Sequence, residues 1–235
     1  MSRLPLEVRF SGTGTLALVG SGEYLPGVLE LDAWLMARLP EPARVVTLAT
    51  AAGTEGPARI RYWEDLGVQH FQSLGAESVK AVPVIDRSSA MDERLAEHIR
   101  RANFVYLSGG KPHYLLQVLV GSPAWAAICA VLEQGGVVAG CSAGAMIFGE
   151  QVPSSPFPGG WQAGFGFLPG TFIIPHFDEV PKTLLAGLKL LNHKLRLVGV
   201  EGDTALVCTP QGCLVRGRGR VSLQNGNSFL HFQQE

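Results

Sequence analysis

The chain has 235 residues, a formal net charge of −1 and 17% charged residues. That length suits one α/β domain spanning 1–235 with a core of ordinary size. The near-neutral balance excludes the strong field that draws nucleic acid or an anionic membrane, so the expected partner is a small, roughly neutral molecule or a second copy of the chain.

The opening MSRLPLEVRFSGTG lacks the long apolar core of a signal peptide, and no apolar run reaches bilayer length, so a soluble, cytoplasmic protein is expected. Short apolar strands then alternate with helix-length amphipathic segments. Strands are predicted over TLALVG (15–20), RVVTLAT (44–50), SVKAVPVI (78–85), NFVYLSGG (103–110) and GGVVAG (135–140). Helices are predicted over 27–39, 57–72, 91–101, 113–119 and 123–134, with Met91, Leu95 and Ile99 on one face of MDERLAEHIRR. This rhythm describes a three-layer, doubly wound, mostly parallel sheet covered by helices on both faces.

Between Pro112 and Phe177 the only formal charges are Glu133 and Glu150, so this region is expected to be buried or to line an apolar-walled cleft. VPSSPFPGGWQAGFGFLPG (152–170) reads as a long ordered loop whose aromatic residues need a surface to pack on. A helix is predicted over 179–192. VGVEG, TALVCT, GCLVRG, GRVSLQ and NSFLHF follow as a small β meander that finishes the sheet edge or forms a side sheet. The four cysteines, Cys129, Cys141, Cys208 and Cys213, show no metal-ligand spacing, and no metal or cofactor is expected. Cys208 and Cys213 flank the turn TPQG and can face each other across a hairpin, but a reducing compartment predicts free thiols.

GCSAG (140–144) fits G-x-S-x-G directly after an apolar strand and before a helix-compatible stretch. Small flanking residues let the chain turn sharply and lift the Ser142 hydroxyl above the sheet edge. The Ala143 N–H, at the helix start, then points where an oxyanion would form. LSGGKPHYLL (107–116) repeats the pattern, and Gly109 and Gly110 are placed to turn a second N–H toward Ser142. The alternative at both turns is glycine punctuation without chemistry.

A serine nucleophile needs a base and an orienting acid. His98 and His193 lie among charged residues and His70 near a helix end, all three expected to be solvated. His176, in FIIPHF, follows a strand that fits the same sheet and is the expected base; His113 is a secondary candidate for touching substrate. For the acid, Glu201 is favoured and Asp203 is the alternative, both in VGVEGDTALV; a plain strand-to-strand turn is the competing reading. Asp178 and Glu179 sit too near His176 in sequence to expect orienting geometry. The order Ser142, Asp203, His231 of an α/β-hydrolase leaves too little chain for the closing elements.

LALVGSGEYLPG, TAAGTEGP with YWEDLG, LSGGKPHYL, AGCSAGAM, IPHF and VGVEGDTAL together resemble the peptidase E and cyanophycinase family of serine peptidases, whose fold is like that of class I glutamine amidotransferases. The resemblance implies that Ser142 attacks an amide, that His176 is the base, that the N–H groups of Gly110 and Ala143 hold the oxyanion, and that no cofactor takes part. Beyond IPHF this chain offers lysines rather than arginines, and Asp178 and Glu179 repel an anion, which speaks against aspartyl specificity. Glu23, Lys111 and the Gly109 turn are the expected readers of peptide substrate. The leading function is thus a serine peptidase acting on short peptides. The alternatives are an esterase or amidase using the same serine, or a silent amidotransferase-like binding module.

Overall fold

The computed structural model describes residues 4–153, 160–181, 183, 185 and 194–234. Continuous apolar runs become strands buried on both faces, β1 (Thr15–Val19), β2 (Arg44–Leu48), β4 (Phe104–Leu107) and β5 (Val137–Cys141), while β3 (Ser78–Ala81) is a partly exposed edge strand. Further strands follow: β6 (Gln151–Pro153), β7 (Trp161–Ala163), β8 (Thr171–Ile174), β9 (Arg196–Val200), β10 (Thr204–Thr209), β11 (Gly212–Gly217), β12 (Arg220–Asn225) and β13 (Ser228–Gln233). The main sheet runs β11-β10-β1-β5-β4-β2-β3, with β1 through β5 mutually parallel and β10 antiparallel to both its neighbours.

Helices α1 (Leu29–Met36) and α2 (Pro57–Ser73) cover one face, packing Val28, Leu31, Leu35 and Phe71 against Val19, Phe104 and Tyr106. The opposite face carries α3 (Arg87–Ala90), α4 (Glu93–Arg100), α5 (Pro112–Leu119), α6 (Pro123–Glu133) and the short α7 (Ala143–Met146). The doubly wound reading therefore holds. Local chemistry trims the predicted elements. β3 stops at Ala81 because Pro83 has no N–H to donate to a ladder. The 91–101 helix starts later, since the Asp92 side chain accepts the Arg94 N–H as an N-cap; Met91 falls outside and is 48% exposed. The predicted 27–39 helix is a 3-10 turn, Pro26–Val28, followed by α1.

The C-terminal strands divide between two sheets. β10 and β11 extend the main sheet, while β13-β12-β9-β8 form a second one, packed on the α3–α7 side through Ile173, Val198, Val200, Val221 and Leu223. His176 therefore follows a strand of the second sheet, not of the main one as expected. β6 and β7 pair as a ribbon, and the aromatic residues after it pack as predicted, with Phe165 stacked on Trp125 at 3.5 Å. Most of the predicted 179–192 helix, with His193, lies outside the described residues. Cys208 and Cys213 occupy directly opposed positions of the β10–β11 hairpin and are disulfide-bonded, where free thiols were expected.

Candidate active site

The C-terminal ends of β1, β4 and β5 meet at one edge, where open α/β sheets place their ligands. β5 enters the turn so closely that a Cβ on Gly140 would overlap the Gly144 carbonyl; a Cβ on Gly144 would come 2.5 Å from the Leu107 carbonyl oxygen. Larger residues would push α7 off the strands. The Ser142 N–H still donates to the Val19 carbonyl at 3.0 Å, but its φ of 51° and ψ of −113° lift the side chain out of the sheet. Such a conformation is rare and strained for a residue with a Cβ.

Ser142 Oγ lies 3.1 Å from His176 Nε2, a hydroxyl-to-imidazole hydrogen bond across 34 residues of sequence. His176 is also left-handed, with φ 50° and ψ 37°, just before the 3-10 turn Phe177–Glu179. The carboxylate that approaches its other nitrogen is Glu179, with Oε2 3.6 Å from Nδ1. The local pairing dismissed on sequence grounds arises because the 3-10 turn folds residue 179 back under the ring.

The two acids favoured from sequence do not meet His176 among the described residues. Glu201 holds Arg220: Arg220 Nε and a terminal nitrogen reach Oε1 at 3.1 and 3.0 Å, and the Arg220 N–H reaches Oε2 at 2.9 Å. Asp203 turns its carboxylate toward Gly22 and Gly27, against the loop after β1. The two loops are nevertheless tied, because the Gly202 N–H donates to Asp178 at 2.8 Å.

The glycine turn after β4 brings two further residues beside Ser142. Gly110 has a φ of 141°, and a Cβ there would stand 2.5 Å from the Ala51 carbonyl oxygen, so only glycine fits. Neither the Gly110 N–H nor the Ala143 N–H has an acceptor among the described residues. Both sit at the turns that flank Ser142. Gly109, in contrast, donates its N–H to Glu23 Oε1 at 3.0 Å and has none left for substrate.

Glu23 has both oxygens engaged, since the Cys141 thiol donates to Oε2 at 3.1 Å. It is a clamp between the nucleophile strand and the glycine turn, where sequence suggested a reader of peptide termini. Beside it, Tyr24 Oη and Ser108 Oγ share a 2.8 Å hydrogen bond. Burial, with the Glu23 carboxylate second, pushes the Cys141 thiol well above its ordinary range, and burial does the same to the Tyr24 phenol. Cys141 is thus a protonated packing residue rather than a nucleophile.

His113 is turned away from any substrate role: Nδ1 meets Gln162 at 2.6 Å and Nε2 the Pro153 carbonyl at 2.8 Å, anchoring the β6–β7 ribbon. Lys111 donates from Nζ to Thr54 at 2.9 Å and stays exposed at the rim. His70 is buried, not solvated, and pairs with buried Asp32 at 2.8 Å. No cluster of three or more His, Cys, Asp or Glu side chains suited to a metal ion occurs among the described residues.

Comparison with known proteins bears on the family and the fold. The model of peptidase family S51 matches residues 16–214. The crystal structure of a peptidase from an acI-B1 Actinobacterium is 33% identical, with a TM-score of 0.84 over 94% of each chain. A candidate peptidase E from Listeria monocytogenes EGD-e shares the fold, with a TM-score of 0.68 over 88% of this chain and 100% of its own, at 18% identity. A cyanophycinase of Geminocystis herdmanii (strain PCC 6308) is 26% identical over 178 residues; these are 71% of this chain but 65% of that protein's length.

Proposed function

The chain belongs to peptidase family S51, and on that basis we propose that it is a serine-type peptidase that hydrolyses short peptides through an acyl-enzyme on Ser142. The observation that carries this reading is the 3.1 Å contact between Ser142 Oγ and His176 Nε2 on a strained strand-to-helix turn. His176 takes the hydroxyl proton as Oγ bonds to the scissile carbonyl carbon. The resulting oxyanion accepts from the N–H groups of Gly110 and Ala143, which have no other acceptor among the described residues. The imidazolium then protonates the leaving amine as the C–N bond breaks, and water repeats the sequence to release the acid.

Glu179 is the group placed to favour the imidazolium, but it is weakly placed. Its side chain is 69% exposed and 3.6 Å from Nδ1, so solvent screens the interaction. Glu179→Gln is expected to lower kcat/KM only a few-fold. The carboxylates of Glu23, Asp178 and Glu179 around the turn favour peptides that are neutral or basic near the scissile bond over aspartyl ones.

The test is labelling with a serine-reactive fluorophosphonate, followed by mass spectrometry and a peptide-library digest. One adduct on Ser142, absent in Ser142→Ala and slowed in His176→Ala, together with cleavage of short peptides, is the expected result. A folded protein that takes no label and cleaves no peptide would overturn the reading.

A further inference from the structure

A second polar site lies on the same row of the main sheet as the Ser142 turn. Cys141 stands opposite Val19, Val19 opposite Ala205 and Ala205 opposite Arg216. At ~4.8 Å per strand spacing this places Arg216 about 14 Å from Cys141. Directly opposed residues share a face, and the first three members of the row are buried core. The fourth is a guanidinium.

Arg216 lies over the Trp34 indole, 4.4 Å from the ring centroid, and its Nε is buried without a hydrogen-bond partner among the described residues. Stacking on the indole uses the flat face of the guanidinium and leaves that N–H unanswered. Buried donors are nearly always paired, so an orphaned one asks for an acceptor. Arg216 lines a cavity of about 250 Å³ together with Glu30, Leu31, Trp34, Arg218 and Gln234. No ion pair neutralises Arg216 or Arg218 among the described residues; the carboxylate of Glu30 lines the wall and that of Asp203 stands against Gly27, a further lining residue, so the charges balance overall and any attraction for an anion is local to the two guanidinium groups. The indole also carries Arg38, at 4.9 Å, which leaves recognition to charge and N–H donors rather than to stacking.

We propose that this cavity binds a carboxylate, which accepts from Arg216 Nε–H and is held by the charge of Arg218. A planar two-oxygen acceptor matches the fork of a guanidinium. The carboxylate belongs either to a free small molecule or to an acidic residue of a bound peptide whose chain passes around the buried row rather than along it, a path longer than the direct ~14 Å.

The test titrates the full chain with succinate by calorimetry while the Arg216 Nε–H resonance is followed by NMR. Saturable binding that shifts this resonance is expected, weakened about tenfold or more by Arg216→Gln and unaffected by Ser142→Ala. Arg216→Lys keeps the charge but not the fork; weaker binding at an unchanged unfolding temperature separates recognition from misfolding. Peptide kinetics distinguish the source. A KM raised by Arg216→Gln for acidic peptides alone assigns the carboxylate to substrate, and an unmoved KM with lost succinate binding assigns it to a free ligand. No saturable succinate binding, full-strength binding to folded Arg216→Gln, or tighter binding of inorganic phosphate would overturn the proposal.

Discussion

Ser142 and His176 both have a positive φ, 51° and 50°, His176 in the left-handed helical region and Ser142, at ψ −113°, outside it. Each such residue costs on the order of 1–3 kcal/mol, which the surrounding packing must offset. Ser142→Gly removes both the hydroxyl and the strain. It is expected to raise the unfolding free energy by about 1 kcal/mol in chemical denaturation while abolishing peptide hydrolysis. Asp32 offers a second contrast, because burial raises its pKa more than the hydrogen bond from His70 lowers it. A carboxyl raised in the folded state is favourable to stability only while protonated, so its contribution falls as pH climbs from about 4 through the folded pKa. Asp32→Asn keeps an acceptor for His70 without the charge. Its stability relative to the parent protein is expected to improve steadily with pH across that range, as read from denaturation curves. The Ser142 turn and the placement of His176 beside it were legible because small residues after an apolar strand, and a histidine after another, are local signals. The partners of Glu201 and Glu23 were not: Arg220 lies 19 residues from Glu201, and Gly109 lies 86 from Glu23, and nothing in either neighbourhood announces the pairing.

At the scale of elements, the glycine turn after β4 depends on Gly110, whose missing Cβ lets the backbone pass the Ala51 carbonyl. Gly110→Ala is expected to lower kcat/KM by about 10²–10³, the loss typical of one oxyanion donor. Fluorophosphonate labelling of Ser142 should fall with it, because both readouts need the same N–H. The two halves of this turn are held differently. Gly109 is fixed by a charge-assisted hydrogen bond to Glu23, and Lys111 N–H by the Ala51 carbonyl, so the peptide between them is braced on both sides. Helix positions were largely readable from periodicity, capping and proline, as at Ser122-Pro123, where the Ser122 hydroxyl accepts the Trp125 N–H. Assignment of the late strands to sheets was not readable, because β9 and β10 have the same apolar character and differ only in which neighbours they find.

For the whole molecule, the apolar layer beneath α3–α7 continues without a break into the second sheet, where Leu223 and Val198 join Ile147 and Leu206 in one cluster. A shared core of this kind predicts one cooperative calorimetric transition rather than two. Leu223→Ala is expected to cost about 2–5 kcal/mol, and to lower the temperature of that single transition, with peptide hydrolysis and circular dichroism lost over the same range.

The division of Ser142 and His176 between two sheets also bears on how the chain is made. A ribosome delivers the nucleophile turn first, and the main sheet around it still lacks β10, the strand that flanks β1. Among the described residues β8, which leads to His176, pairs with β9 as its one strand neighbour, and β9 is braced in turn by β12. Until those late strands have emerged, the serine has no proton acceptor at 3.1 Å. On the proposed mechanism, a nascent or truncated chain is therefore expected to hydrolyse no peptide, because assembly of the late strands itself gates the Ser142–His176 contact.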